Sequence, residues 1–90
     1  MKQLPDHLDH YNTTKTFTDV SAPDIMKDDH RTKAGVWGRI VVVKGEVIYC
    51  ITETGERISL TPDQPGIIEP TIAHKIDPQP GTEFFVEFYR

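Results

Sequence analysis

The sequence has little from which to build disulfide, zinc-ribbon or nucleic-acid chemistry. Cys50 is its only cysteine, so an intrachain disulfide is impossible and a cysteine-based zinc ribbon is excluded. Sparse cysteine fits a reducing compartment. Ten Lys and Arg face fourteen Asp and Glu, for a net charge of −4. The basic residues are also scattered singly, so no stripe follows a phosphate backbone and no nucleic-acid partner is expected. No window approaches the roughly 18 consecutive apolar residues of a membrane-spanning helix, and no membrane partner is expected. The opening MKQLPDHLDHYN lacks the apolar stretch of an export signal, which makes the cytoplasm the expected location. Helix-period segments of useful length, internal repeats and low-complexity tracts are missing too.

What is present reads as strands. A 90-residue chain has room for one domain and one core, burying roughly 60–65% of its unfolded surface, so closure, a metal or self-association would help it. Two β-rich runs, 37–44 and 46–52, are broken at Lys44-Gly45, where glycine supplies the positive φ of a tight hairpin. Ile40 to Val43 is apolar on both sides, as in a strand buried on both faces. Further strands are predicted at 16–20 (TFTDV), 57–60, 67–69, 74–77 and 83–89. In the last of these, Phe84, Val86 and Phe88 point one way and Glu83, Phe85, Glu87 and Tyr89 the other. Short strands at this spacing predict an all-β sandwich or closed barrel. Residues 1–14 read as a polar N-terminal arm and 15–90 as the β domain.

Four histidines are the main candidates for chemistry. His7 and His10, three residues apart, would share a face of a helix and could hold a metal there; two solvated histidines in a tail is the plainer reading. His30 closes the polar segment before the hairpin, and His74 opens a strand after a Pro- and Gly-rich turn. Imidazole suits zinc, iron or copper, and ligands converge at the strand ends of small barrels. Glu69 is the nearest candidate for a third ligand, although metal sites ordinarily take three or four. Trp37 and Arg39 share a strand face where they could grip an anion or planar ligand. Cys50 reads as a small buried hydrophobe, with a lumen-facing thiol as the alternative. Ser-His-Asp sets, phosphate loops and paired catalytic carboxylates are not found.

The stretch DHRTKAGVWGRIVVVKG (29–45) resembles the cupin-type domain at the N-terminus of TehB tellurite-resistance proteins. The frame IEPTIAHKI (68–76) and the closing aromatic strand resemble it as well, as do the stand-alone YeaR-like proteins of the same group. The resemblance covers the chain from about Lys15 to Tyr89. It implies a cupin-like double-stranded β-helix of the jelly-roll kind, often dimeric. In TehB proteins that domain precedes an S-adenosylmethionine-dependent methyltransferase domain, and no Gly-rich strand-turn-helix for that cofactor occurs here. The general cupin metal motif calls for a His-x-His pair and a Glu ahead of a glycine corresponding to Gly45. Those places fall near Lys33, Gly35 and Gly38, which supply no such ligands, while His74 matches the second motif's histidine.

The expectation is therefore a non-enzymatic, homodimeric binding domain. It would hold a small molecule or a divalent metal (zinc, iron, nickel or manganese) through His30, His74 and Glu69, with Trp37, Arg39 and Cys50 as weaker ligand contacts. Its role would lie in tellurite, oxyanion or stress response. A minimal metal-dependent cupin oxygenase or isomerase, and a structural dimerisation module, are the alternatives.

Overall fold

The computed structural model describes residues 2–90. Eight strands and one helical turn follow in order: β1 (His10–Thr13), β2 (Phe17–Thr18), α1 (Asp24–Lys27), β3 (Trp37–Lys44), β4 (Val47–Ile51), β5 (Glu56–Leu60), β6 (Gly66–Ile68), β7 (His74–Pro78) and β8 (Glu83–Tyr89). They form two antiparallel sheets. One is five-stranded, in the order β1-β8-β3-β6 with β2 also on β8; the other is three-stranded, β5-β4-β7. The all-β expectation stands, but the sheets do not close into a barrel. Edges remain at β1 and β6 in one sheet and at β5 and β7 in the other.

The period-two alternation of the sequence decides which faces meet. Ile40 and Val42 of β3 and Phe84 and Val86 of β8 are buried on one side; Val47, Tyr49 and Ile51 of β4, Leu60 of β5 and Ile76 of β7 are buried on the other, and all join one core cluster. Burying such side chains contributes about 1.5–3 kcal/mol each, which offsets the entropy of ordering so short a chain. The sheets are also tied by a polar contact, because the Tyr49 hydroxyl of β4 donates to the Ile67 carbonyl of β6 at 2.9 Å. Burial raises the Tyr49 phenol well above its ordinary pKa, so the hydroxyl stays a donor through the physiological range.

Three expectations need correction. First, Val43 is not buried on both faces: it is 52% exposed, beside a register shift between Val42 and Lys44 where β3 meets β8. Second, the first domain strand is two residues long instead of five. The Thr18 hydroxyl accepts the Ser21 amide at 3.0 Å, and the Thr18 amide donates to the Ser21 hydroxyl at 2.8 Å. That Ser/Thr turn turns the chain away at Asp19. Third, the polar arm supplies a strand. His10–Thr13 pairs antiparallel with β8, and Asp9 and Arg90 exchange backbone hydrogen bonds at 3.0 and 3.1 Å.

Candidate functional site

His30 lies outside the strands, and a long-range backbone pairing positions it. Its amide donates to the His74 carbonyl and the His74 amide donates back, both at 2.9 Å. A reciprocally bonded antiparallel pair projects its side chains to the same side. The two imidazoles consequently meet edge to face, with ring centroids 4.2 Å apart and planes at 62°. Tyr49 approaches the other way, 5.7 Å from His74 between centroids.

The loops beneath hold this arrangement. Thr52 Oγ1 donates to the Asp29 carboxylate at 2.6 Å, and the Thr71 amide donates to the Thr32 carbonyl at 3.1 Å. Thr71 has φ of +67°, a left-handed conformation that costs a β-branched residue about 1–2 kcal/mol. The strain falls in the turn that leads into β7.

Both imidazoles have a defined tautomer. His30 Nδ1 lies 3.0 Å from the Asp28 carbonyl, and His74 Nδ1 lies 3.0 Å from the Ile72 carbonyl. A carbonyl oxygen only accepts, so each Nδ1 carries a proton, and in the neutral ring Nε2 presents a lone pair. This is the second-shell arrangement found on ligating histidines. His74 is 1% exposed, and its Nε2 finds no hydrogen-bond partner among the described residues. Leaving such a group unsatisfied costs about 1–3 kcal/mol.

The pair forms the polar part of a pocket of about 190 Å³ between the sheets. Ile25 and Met26 of α1 line it on one side, with Ile40, Ile68, Ile76, Val86 and Phe88 of the sheets and Thr32 completing the wall. Ile25 is 68% exposed and marks the rim. α1 is not legible in the sequence as a site element, because four residues are too short to show a helical period. The apolar pair Ile25-Met26 in a polar stretch was the signal available.

Burial lowers the pKa of His74; the Ile72 carbonyl and the Asp29 carboxylate oppose that shift, and His30 adds to it. The unfolded chain takes up a proton at His74 near pH 6.5, whereas the folded chain resists it. Stability is therefore complete above about pH 6.5 and declines as pH falls from there toward the folded-state pKa. Melting curves between about pH 5 and 8 should show this decline, and His74→Gln should flatten it. An unchanged slope in the variant would assign the effect to other groups.

The remaining candidates lie elsewhere. Glu69 pairs with Lys2 at 3.3 Å and lines a separate depression with Lys2 and Ile72. Trp37 and Arg39 alternate with the buried positions of β3 and face outward. There the Arg39 guanidinium approaches the Glu87 carboxylate at 3.6 Å and donates to the Tyr89 hydroxyl at 3.3 Å. Cys50 also faces outward, in register with Arg57 and Lys75, because Tyr49 takes the inward position on β4; the lumen-facing thiol is not realised. His10 is in a strand, 2.6 Å from the Thr13 hydroxyl, so the helical His7–His10 face does not form. Among the described residues no group of three or more His, Cys, Asp or Glu is placed to hold a metal ion.

Comparison with known proteins gives a consistent picture. The TehB-like domain family matches residues 12–86. Two proteins named "Probable S-adenosyl-L-methionine-dependent methyltransferase TehB", from Haemophilus influenzae strains 10810 and Rd, are 29% and 31% identical over 72 residues, 74% of this chain. The chain spans about a quarter of their length, 25% in each case. A crystal structure of TehB from Haemophilus influenzae superposes with a TM-score of 0.83 at 27% identity, covering 93% of this chain and 32% of that one. A crystal structure of an Escherichia coli K12 protein gives 0.90 at 24% identity, covering 100% and 97% of the two chains, a likeness of fold.

Proposed function

The chain belongs to the TehB-like domain family, and from that premise we propose that it is a cupin-like binding domain whose site is the His30–His74 pocket. The occupant is a small molecule or a divalent cation, and the biological role lies in tellurite, oxyanion or stress response in the cytoplasm. One observation carries the reading: two imidazoles from distant segments, each with Nδ1 committed to a carbonyl, line one apolar pocket, and the buried Nε2 of His74 has no partner among the described residues.

A resident metal of the usual cupin kind fits this donor set poorly. Two imidazoles are available, Glu69 is engaged with Lys2, and no cluster of three ligating residues exists among those described. A cation held here would draw most of its coordination from water or from a bound molecule. Methyl transfer belongs to the name of the longer relatives and is not proposed for this chain.

The test is a thermal-shift screen of untagged protein over zinc, iron(II), nickel and manganese and a set of small organic molecules, followed by metal analysis. A ligand at about 100 times its Kd stabilises the folded state by about 2.7 kcal/mol, a shift of several degrees for a domain this small. We expect at least one probe to raise the melting temperature of wild type and to lose that effect in His30→Ala/His74→Ala. If no probe moves wild type, the binding reading fails and a structural dimerisation module takes its place.

A further inference from the structure

We propose that the pocket selects an uncharged organic molecule of about the size of one aromatic ring that donates a hydrogen bond, and that it rejects oxyanions. The inference rests on the binding reading above and specifies the ligand's chemistry.

The size comes from the volume. A dry apolar cavity of about 150 Å³ accepts benzene, and the pocket here measures about 190 Å³. That leaves space for a ring and one or two further heavy atoms.

The charge comes from the lining. No Lys, Arg, Asp or Glu side chain reaches the pocket; apart from His30, His74 and Thr32 the wall is aliphatic, aromatic or thioether. An ion entering it would lose hydration without gaining a counter-charge. A neutral molecule avoids that loss and gains apolar burial on Ile40, Ile68, Ile76, Val86 and Phe88.

The hydrogen-bonding sense comes from counting protons. His30 and His74 give their Nδ1 protons to the Asp28 and Ile72 carbonyls. Thr32 gives its hydroxyl proton to the Val36 carbonyl at 2.7 Å. With neutral rings, every polar side-chain atom left to the pocket is an acceptor. A deprotonated oxyanion such as tellurite offers further acceptors and finds no donor among these side chains. A hydroxyl or N–H group on a neutral ring supplies the donor that His74 Nε2, buried and unpartnered, requires.

A matched trio of probes separates these requirements. Benzyl alcohol, toluene and benzoate have nearly one shape and differ in donor and charge. Zinc and tellurite are run beside them, with binding followed by thermal shift and by the ¹⁵N resonances of the His74 ring. We expect benzyl alcohol to bind and to shift the His74 Nε2 signal, toluene to bind at least about tenfold more weakly, the equivalent of one 1.4 kcal/mol hydrogen bond, and benzoate and tellurite to leave the protein unmoved. In His74→Phe benzyl alcohol should fall to the level of toluene. The ¹⁵N readout on wild type decides the question by itself if that variant does not fold. Tighter binding of benzoate or tellurite than of benzyl alcohol, or equal binding of toluene, overturns the neutral-donor assignment. Binding of zinc with no response to benzyl alcohol also overturns it, yet leaves the pocket as a binding site. Silence from all five overturns the neutral-donor assignment, and the wider screen above then decides whether the pocket binds at all.

Discussion

Replacing Phe84 with alanine is expected to cost about 3–5 kcal/mol, the largest single loss in this domain. Phe84 is 0% exposed and sits on β8, in register with Val42 of β3 and with Phe17 of β2. Its ring meets that of Phe17 at 5.8 Å between centroids, tilted by 47°, a geometry worth about 0.5–1.5 kcal/mol beyond the area it buries. The side chain thus packs on two neighbouring strands at once, and the surrounding sheet has little freedom to collapse into the space left behind. A domain of this length has a total stability of about 5–13 kcal/mol. The variant should therefore lose about a quarter of it or more, and unfold outright if the wild type lies near the lower figure. Urea denaturation of Phe84→Ala beside Phe84→Leu measures the effect. A loss below about 1.5 kcal/mol for the alanine variant would show that the site relaxes and is not a rigid packing centre.

The second large effect is expected at Gly45. Its φ is +87°, and a Cβ there would lie 2.7 Å from Thr82 Oγ1 and 2.9 Å from Thr82 Cα. Thr82 cannot yield cheaply. It is 0% exposed, donates its hydroxyl to the Glu46 carbonyl at 2.8 Å and accepts the Glu46 amide at 3.1 Å. Gly45→Ala therefore adds left-handed strain of about 1–2 kcal/mol to the loss of one or both of these hydrogen bonds, about 1–3 kcal/mol where a buried group is left unpaired. A sum near 3 kcal/mol is expected. Gly55 is the internal control, with φ of +76° and open space around its Cβ position. Gly55→Ala should cost only the conformational part. Equal losses at the two glycines would mean that the Thr82 contact contributes nothing.

These two positions also show what the sequence could reveal. β3 and β8 were predicted with the bounds they have in the structure, because both are unbroken β-branched or aromatic runs and Gly45 marks the hairpin between β3 and β4. β1 was not predicted because all four of its residues are exposed. A strand held by backbone pairing to β8 alone leaves no apolar alternation to read. The open edges of the two sheets depend on pairings between distant segments, which local pattern does not encode. At the candidate site, His30 and His74 were legible as residues of interest from their places beside turns. Their meeting was not, since a reciprocal pair of backbone hydrogen bonds brings it about. Glu69 was nominated by nearness in sequence, and its partner is Lys2. Cys50 was placed by residue type, whereas its side of the sheet follows from which neighbour, Tyr49, takes the core.

β8 has a further consequence for how the molecule is made. It pairs with β1, β2 and β3, and it follows all of them in the chain. During synthesis the β4–β5 hairpin has both partners at hand early. The five-stranded sheet has to wait, because the strand that joins its members leaves the ribosome after every one of them. Loops of that length must be closed before any contact rewards them, which is the topology of a slow folder. Until β8 arrives, one backbone edge of β3 stands unpaired, and the nascent chain depends on Lys44 and its other charges to stay apart from its neighbours.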